Sequence, residues 1–290
     1  MVNRERATKL LDLAMELERE GKTDEAINVY LKAIDIDPTW AVPCYNVGLM
    51  YKYRGDWRKS LIYNEKSAFL DPSDKPSVWN MAIAATALKD WKTARKTWRM
   101  FGIPLPIGDE NSELRMEIGM TPIRLKVNNE VIWTNRIDPA RAIINNVPTP
   151  DSKRRFKDIV LNDGAPNGTR IYNKRQFHVF DELELFESSG YSTFTAMVHV
   201  KNEASLKTLE DTLDNRGDGF ENWTDSIRHV CEQCSRGTPH EHHDKKMPRT
   251  IPNGQYLLGL AAKSEADLKN ILTKWGATTQ SKVLDFEKVF

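Results

Sequence analysis

Cys231 and Cys234 stand two residues apart, and His240, His242, His243 and Asp244 follow soon after in the same polar stretch. Two thiolates so spaced can hold one tetrahedral ion from a tight turn, and imidazoles can fill the remaining positions. Zn²⁺ is the ion this donor set fits, in a structural role. The stretch from Cys231 to about Gly254 is long and polar for a loop in a compact domain, and a closed site of two thiolates and two imidazoles would fix it. The histidines follow the second cysteine too soon for a standard finger, and which two would bind is open. Metal-free cysteines beside a solvated histidine run are the plainer alternative.

The run His240-x-His242-x-Asp244 resembles the histidine/aspartate motif of metallo-β-lactamase-like hydrolases, which would imply metal-dependent hydrolysis at an open coordination position. It departs from that family at Lys245, where a further histidine is expected, and no histidine follows His243. His178, His199 and His229 lie in strand-like stretches and read as ordinary core or surface histidines. Asp181, Glu182, Glu184 and Glu187 could pair carboxylates for acid–base work, but their alternation with Leu183, Leu185 and Phe186 marks an exposed strand face. The sequence carries no phosphate-cradling glycine loop, no nucleophile elbow and no spaced nucleophile–base set. A non-catalytic chain is the expectation.

The Cys/His stretch interrupts a region with an internal echo. Val200-Lys-Asn-Glu-Ala-Ser-Leu-Lys-Thr-Leu209 returns as Ala262-Lys-Ser-Glu-Ala-Asp-Leu-Lys-Asn-Ile271, each copy after a strand-like run, Phe194 to His199 and Tyr256 to Leu260. Asn202 and Ser264 are suited to cap a helix, because a short side-chain oxygen accepts from free first-turn amides. Ser226 to Val230 and Val283 to Phe286 are the strands expected to follow, giving β-α-β twice. That order resembles the ferredoxin-like split βαβ sandwich, a fold that carries many functions. Ahead of it, Ile123-Arg-Leu-Lys-Val, Val131-Ile-Trp, Asp158-Ile-Val-Leu, Arg170-Ile-Tyr and the run from His178 predict a small antiparallel sheet or barrel. Its expected turns are Asn128-Asn129, Asn162-Asp-Gly and Pro166-Asn-Gly.

The first third is a different kind of repeat. Pro38, Pro72 and Pro106 stand 34 residues apart, with Ala14, Gly48 and Ala82 in one column, Ala26, Ser60 and Ala94 in a second, and Tyr30, Asn64 and Trp98 in a third. Small residues at fixed spacing let antiparallel helices approach closely, and large ones fill the groove to the next pair. The period, these columns, the turns at Glu20-Gly21-Lys22 and Arg54-Gly55-Asp56, and the closing Asp37-Pro38 and Asp71-Pro72 together resemble the tetratricopeptide repeat. The third copy has Lys89 in place of the turn glycine, and Phe101-Gly102-Ile103 predicts that its second helix stops early. The expected organisation is therefore multi-domain: an all-α tetratricopeptide domain of three repeats over 1–106, a β-rich domain over 107–190, and a ferredoxin-like α+β domain over 191–290 with the Cys/His loop at 231–254.

The resemblance implies a concave groove lined by the first helix of each pair, here Leu11 and Met15, Tyr45 and Leu49, Trp79 and Ile83. An apolar groove implies a helix or extended segment laid into it, from another protein or from the chain's own later domains. The subgroup that clamps acidic chaperone tails uses basic residues and asparagines in these columns. Asn46 and Asn80 are present, but Leu11 and Pro76 replace the basic partners, which disfavours a chaperone tail. Lys92, Arg95, Lys96 and Arg99 form a one-sided basic stripe suited to an acidic protein surface, and Cys44 reads as core.

With 42 basic and 41 acidic residues the formal charge is +1, which favours neither nucleic acid nor an anionic membrane. The charged start has no apolar run behind it, nothing reaches bilayer-spanning length, and three cysteines are too few for a disulfide framework. A cytoplasmic protein-binding module that captures or blocks a partner is the reading, with a bacterial immunity protein neutralising a toxin as its specific form. A chaperone or scaffold adaptor and a metal-dependent hydrolase are the alternatives.

Overall fold

The computed structural model describes residues 2–226 and 254–290, arranged as two compact units, Met1–Met116 and Glu117–Phe290.

The first unit is six helices in three antiparallel hairpins: α1 (Val2–Arg19) with α2 (Thr23–Ile36), α3 (Ala41–Arg54) with α4 (Trp57–Leu70), and α5 (Lys75–Ala87) with α6 (Trp91–Met100). On their 34-residue period this is tetratricopeptide architecture. Gly21 and Gly55 turn the first two hairpins at φ of 75° and 73°, a left-handed conformation that costs glycine little. Asp56 and Asp90 begin α4 and α6 by accepting from the amides of Lys59 and Thr93. The small-residue columns lie where helices touch. Gly48 sits so close to Asn64 that a Cβ would fall 2.5 Å from its amide nitrogen, and Ser60 Oγ donates to the Gly48 carbonyl at 2.9 Å. Ala14, Ala26, Tyr30, Cys44 and Val47 form the fully buried centre of this packing. As expected, α6 stops after ten residues against fourteen in α2 and α4.

The second unit opens with a closed barrel of β1 (Gly119–Arg124), β2 (Val131–Arg136), β3 (Arg141–Ile144), β4 (Ile159–Tyr172) and β5 (Arg175–Glu187). Consecutive strands alternate in direction, so an odd-numbered meander can close only through a parallel pair, and β1 meets β5 in parallel. Ile123, Leu125, Ile132, Ala142, Ile144 and Val160 fill the interior. Asn129 makes the β1–β2 turn at φ of 61°. Asn162-Asp-Gly and Pro166-Asn-Gly do not turn the chain: β4 runs straight through both, with register shifts, and the hairpin reverses at Asn173 and Lys174, whose φ values are 48° and 63°. Irregular pairing, rather than a reversal, accommodates their turn-prone residues.

A four-stranded antiparallel sheet follows, in the order β7-β8-β6-β9, from β6 (Ser192–His199), β7 (Gly219–Asn222), β8 (Gln255–Ala262) and β9 (Lys282–Lys288). α7 (Ala204–Asp214) follows β6, a short α8 (Trp223–Ser226) follows β7, and α9 (Glu265–Thr279) follows β8. Both long helices pack Leu209, Leu213, Leu268, Leu272 and Trp275 onto Phe194, Ala196, Val198, Leu258 and Leu260. Ser264 caps α9 by accepting from the Asp267 amide, whereas Asn202 accepts from Ala204 one step ahead of Glu203, the residue at the start of α7. The strand after α7 lies earlier than expected. It is Gly219–Asn222, while Ser226 is helical and the rest of Ser226 to Val230 lies outside the described residues. Gly219 is the reason: its missing side chain lets β7 lie against Ala261, Val147 and Phe156.

Candidate binding surfaces

The expected groove residues divide by burial. Met15 is exposed, Tyr45 and Leu49 are half-buried, and Leu11 and Ile83 are buried, Ile83 completely. Ile83, with no accessible surface, lines no open groove, and Leu11 packs into the helical core with Ala14, Ile27 and Tyr30. Ile83 belongs to α5, which buries an unbroken stretch from Asn80 to Thr86. Trp79 is half-buried and packs edge-on against Trp98 and Phe101, ring centres 4.9 and 4.8 Å away. The working apolar surface narrows to Met15, Tyr45 and Leu49, with Val42 and Tyr53 exposed on the same helix as the last two. On the inner polar column, the buried Lys52 ammonium donates to Asn80 Oδ1 at 3.2 Å.

The basic stripe is partly spent on the chain itself. Arg95 is 3% exposed, and its guanidinium donates to the carbonyls of Pro106, Ser112 and Glu113 and to Ser112 Oγ. Arg99 pairs with Glu110 at 2.6 Å. These two arginines bind the segment that leaves α6, supplying donors to carbonyls that belong to no helix or strand. Lys92 and Lys96 stay exposed and are what remains of the stripe.

Cys231, Cys234, His240, His242 and His243, with His229, lie outside the described residues. Among the described residues, no three His, Cys, Asp or Glu side chains converge as a metal site. His178 is exposed on β5, His199 is half-buried on β6, and Cys44 is buried and free.

The acidic strand face needs a correction. Glu182 is 3% exposed, ion-paired with Arg154 and accepting from the Lys126 amide at 2.8 Å. The cause is a bulge. Asn162 and Leu161 pair with Glu182 and Glu184, leaving Leu183 as an extra residue, and a second shift falls between Val160 and Ile159. One inserted residue reverses which side chains face inward. Asp181, half-buried, holds Arg124 Nη1 and Asn167 Nδ2, each at 2.6 Å.

Two further carboxylates were not visible as a pair in the sequence. Glu130, after the β1 turn, accepts from Thr149 Oγ1 at 2.7 Å, and Glu221, on β7, accepts from Asn146 Nδ2 at 2.7 Å. Burial pushes both carboxyls above their ordinary range; hydrogen bonds from Thr149 and Asn128 act against this at Glu130, and one from Asn146 does so at Glu221, where the charge of Glu130 adds to the rise. They sit where the barrel meets the sheet.

No family model matches the sequence, and no curated protein matches it. Among solved structures, the chain is similar to the second TPR of Spaghetti (RPAP3) bound to the HSP90 peptide SRMEEVD, at 21% identity over 34% of this chain and 91% of that one, TM-score 0.32. It is similar to yeast Tom70 at 23% identity over 36% of this chain and 21% of that one, TM-score 0.33. The Arabidopsis OM64 TPR domain matches at 16% identity over 33% of this chain and 80% of that one, TM-score 0.31.

Proposed function

We propose that the chain is a non-catalytic module that binds another protein through its helical repeats, capturing or blocking that partner. The observation that carries this reading is the apolar surface left accessible on the first helices of successive hairpins, Met15 on α1 and Tyr45, Leu49 and Tyr53 on α3. Apolar area kept in water on a stacked-repeat scaffold is costly unless a partner covers it. A chaperone tail is not the partner proposed, because Lys52 engages Asn80 and the basic residues of that clamp are missing. Toxin neutralisation in a bacterial cytoplasm is the specific form of the proposal. The order β7-β8-β6-β9 supports a ferredoxin-like reading of the C-terminal sheet. A structural zinc held by Cys231, Cys234 and two of His240, His242 and His243 is proposed on residue chemistry alone.

The test compares the full chain with a Tyr45→Glu/Leu49→Glu variant of matched helicity as bait in native extract. Recovery of a stoichiometric protein by the wild type and its loss in the variant support the groove; equal recovery by both rejects it. Co-expression with candidate toxins that yields neither complex nor protection removes the immunity role. Unchanged metal content and melting temperature after Cys231→Ser/Cys234→Ser remove the zinc.

A further inference from the structure

We propose that the outer end of the β4–β5 hairpin is a basic, aromatic arm that binds single-stranded nucleic acid. β3 pairs with β4 only over Ile159, Val160 and Leu161, and β1 meets β5 only at Phe180 and Asp181. Beyond these, Thr169 to Tyr172 and Arg175 to His178 pair with each other alone among the described residues, and the chain reverses at Asn173 and Lys174. A two-stranded ribbon is marginal in water unless it packs on something. This one packs on Trp133 of β2, whose ring centre lies 5.1 Å from that of Tyr172 and 5.2 Å from that of Phe177. The Arg170 guanidinium stands 5.3 Å over the same indole and donates to the Val131 carbonyl at 2.8 Å.

Residues directly opposite in an antiparallel register share a face. Arg170 stands opposite Phe177 and Tyr172 opposite Arg175, so one face of the arm carries all four, with Lys174 in the turn beside Arg175. Tyr172, nearest the turn, keeps 47% of its surface accessible, and Lys174 and Arg175 are exposed with no ion pair among the described residues. From Gly164 to Phe180 the sequence has Arg170, Lys174 and Arg175 and no aspartate or glutamate, a local excess that the whole-chain charge of +1 averages away. Arg170 is committed already, since its charge acts on Glu221 of β7 as well as on Trp133. Two exposed cations beside an accessible aromatic ring are what a single strand requires: the cations meet phosphates, and an unpaired base stacks on the ring. A run of carboxylates answers the cations but leaves Tyr172 unused, and a duplex keeps its bases stacked inside.

The probe is a fluorescein-labelled oligothymidylate, titrated with the full chain at low salt and followed by anisotropy. Saturable binding is expected, with an affinity that falls as salt rises at a log–log slope of about −1.4 for two phosphates. Tyr172→Leu keeps an apolar contact for Trp133 but removes the π-face, and it should weaken binding about fivefold or more, whereas Tyr172→Phe should leave it unchanged. Lys174→Glu/Arg175→Glu, at exposed positions, should weaken it about tenfold or more and flatten the salt slope. The Tyr45→Glu/Leu49→Glu variant should bind the probe as the wild type does, so this proposal and the groove reading fail separately. Absence of saturable binding overturns the proposal. So does loss on charge reversal with indifference to Tyr172→Leu, which would leave bare attraction between opposite charges. Equal or tighter binding of a labelled oligoglutamate of the same length overturns it too, and would make an acidic protein segment the partner.

Discussion

Lys89 has a φ of 58° in the turn between α5 and α6, the place that Gly21 and Gly55 hold in the earlier hairpins. A side chain in the left-handed region costs on the order of 1–2 kcal/mol, part of which glycine returns through its freer unfolded chain. Lys89→Gly is therefore expected to stabilise the helical unit by about 0.5–1 kcal/mol, read as a higher urea midpoint at unchanged slope. Glu221 makes a pH-dependent case. Burial, with Glu130 adding to it, holds its folded pKa above the ordinary value. The stability linked to this carboxyl is thus complete below the ordinary carboxylate pKa and is lost as pH rises through the folded value. Glu221→Gln keeps an acceptor for Asn146 and removes the charge. It should match the wild type in acid and exceed it at neutral pH, the two curves parting across that window. Denaturant midpoints measured in pH steps check this, and a gap independent of pH would assign the effect to packing.

The helical hairpins show what a single missing methyl does for an element. A Cβ on Gly48 would meet Asn64 Nδ2 at 2.5 Å, Cγ at 2.7 Å and the Asn64 backbone nitrogen at 3.0 Å. Alanine would return about 1 kcal/mol of helix propensity but force α3 and α4 apart at an overpacking cost of about 1–3 kcal/mol. Gly48→Ala should lower the calorimetric transition of the helical unit rather than raise it. This column was legible in the sequence because each small residue meets a neighbouring helix at a fixed interval, so the constraint repeats along the chain. Glu182 was not legible: its inward turn comes from pairing with Asn162, and the alternation from Glu182 to Leu185 runs straight through the bulge. Arg95 misled for a related reason. Its place in a stripe is local, whereas the carbonyls of Pro106, Ser112 and Glu113 that bury it belong to an irregular segment with no pattern to read. Ile83 shows a helix buried across more of its circumference than amphipathic spacing implies.

At the scale of the whole molecule, the second unit depends on how barrel and sheet are joined. The face of the sheet away from α7 and α9 presents Gly259 and Ala261, and Trp223 lies across it, 4% exposed, with Val147 and Phe156 of the barrel. The Trp223 indole donates to the Val147 carbonyl at 3.1 Å, and Asn146 bridges to Glu221 beside it. Gly259 is what admits the indole, since a Cβ there would fall 2.2 Å from Trp223 Cε2, too close for any rotamer adjustment of a buried ring to relieve cheaply. Gly259→Val should therefore expel Trp223 and break its bond to Val147, destabilising the unit by about 3 kcal/mol. Hydrogen exchange distinguishes a local from a shared consequence. If the junction couples the two folds, amides of β3 and of β7 and β8 lose protection together, while those of α1 to α6 keep theirs. Loss confined to β8 would mean that the barrel stands without the sheet, and the indole would then be a plug in one sheet face rather than the joint between two folds.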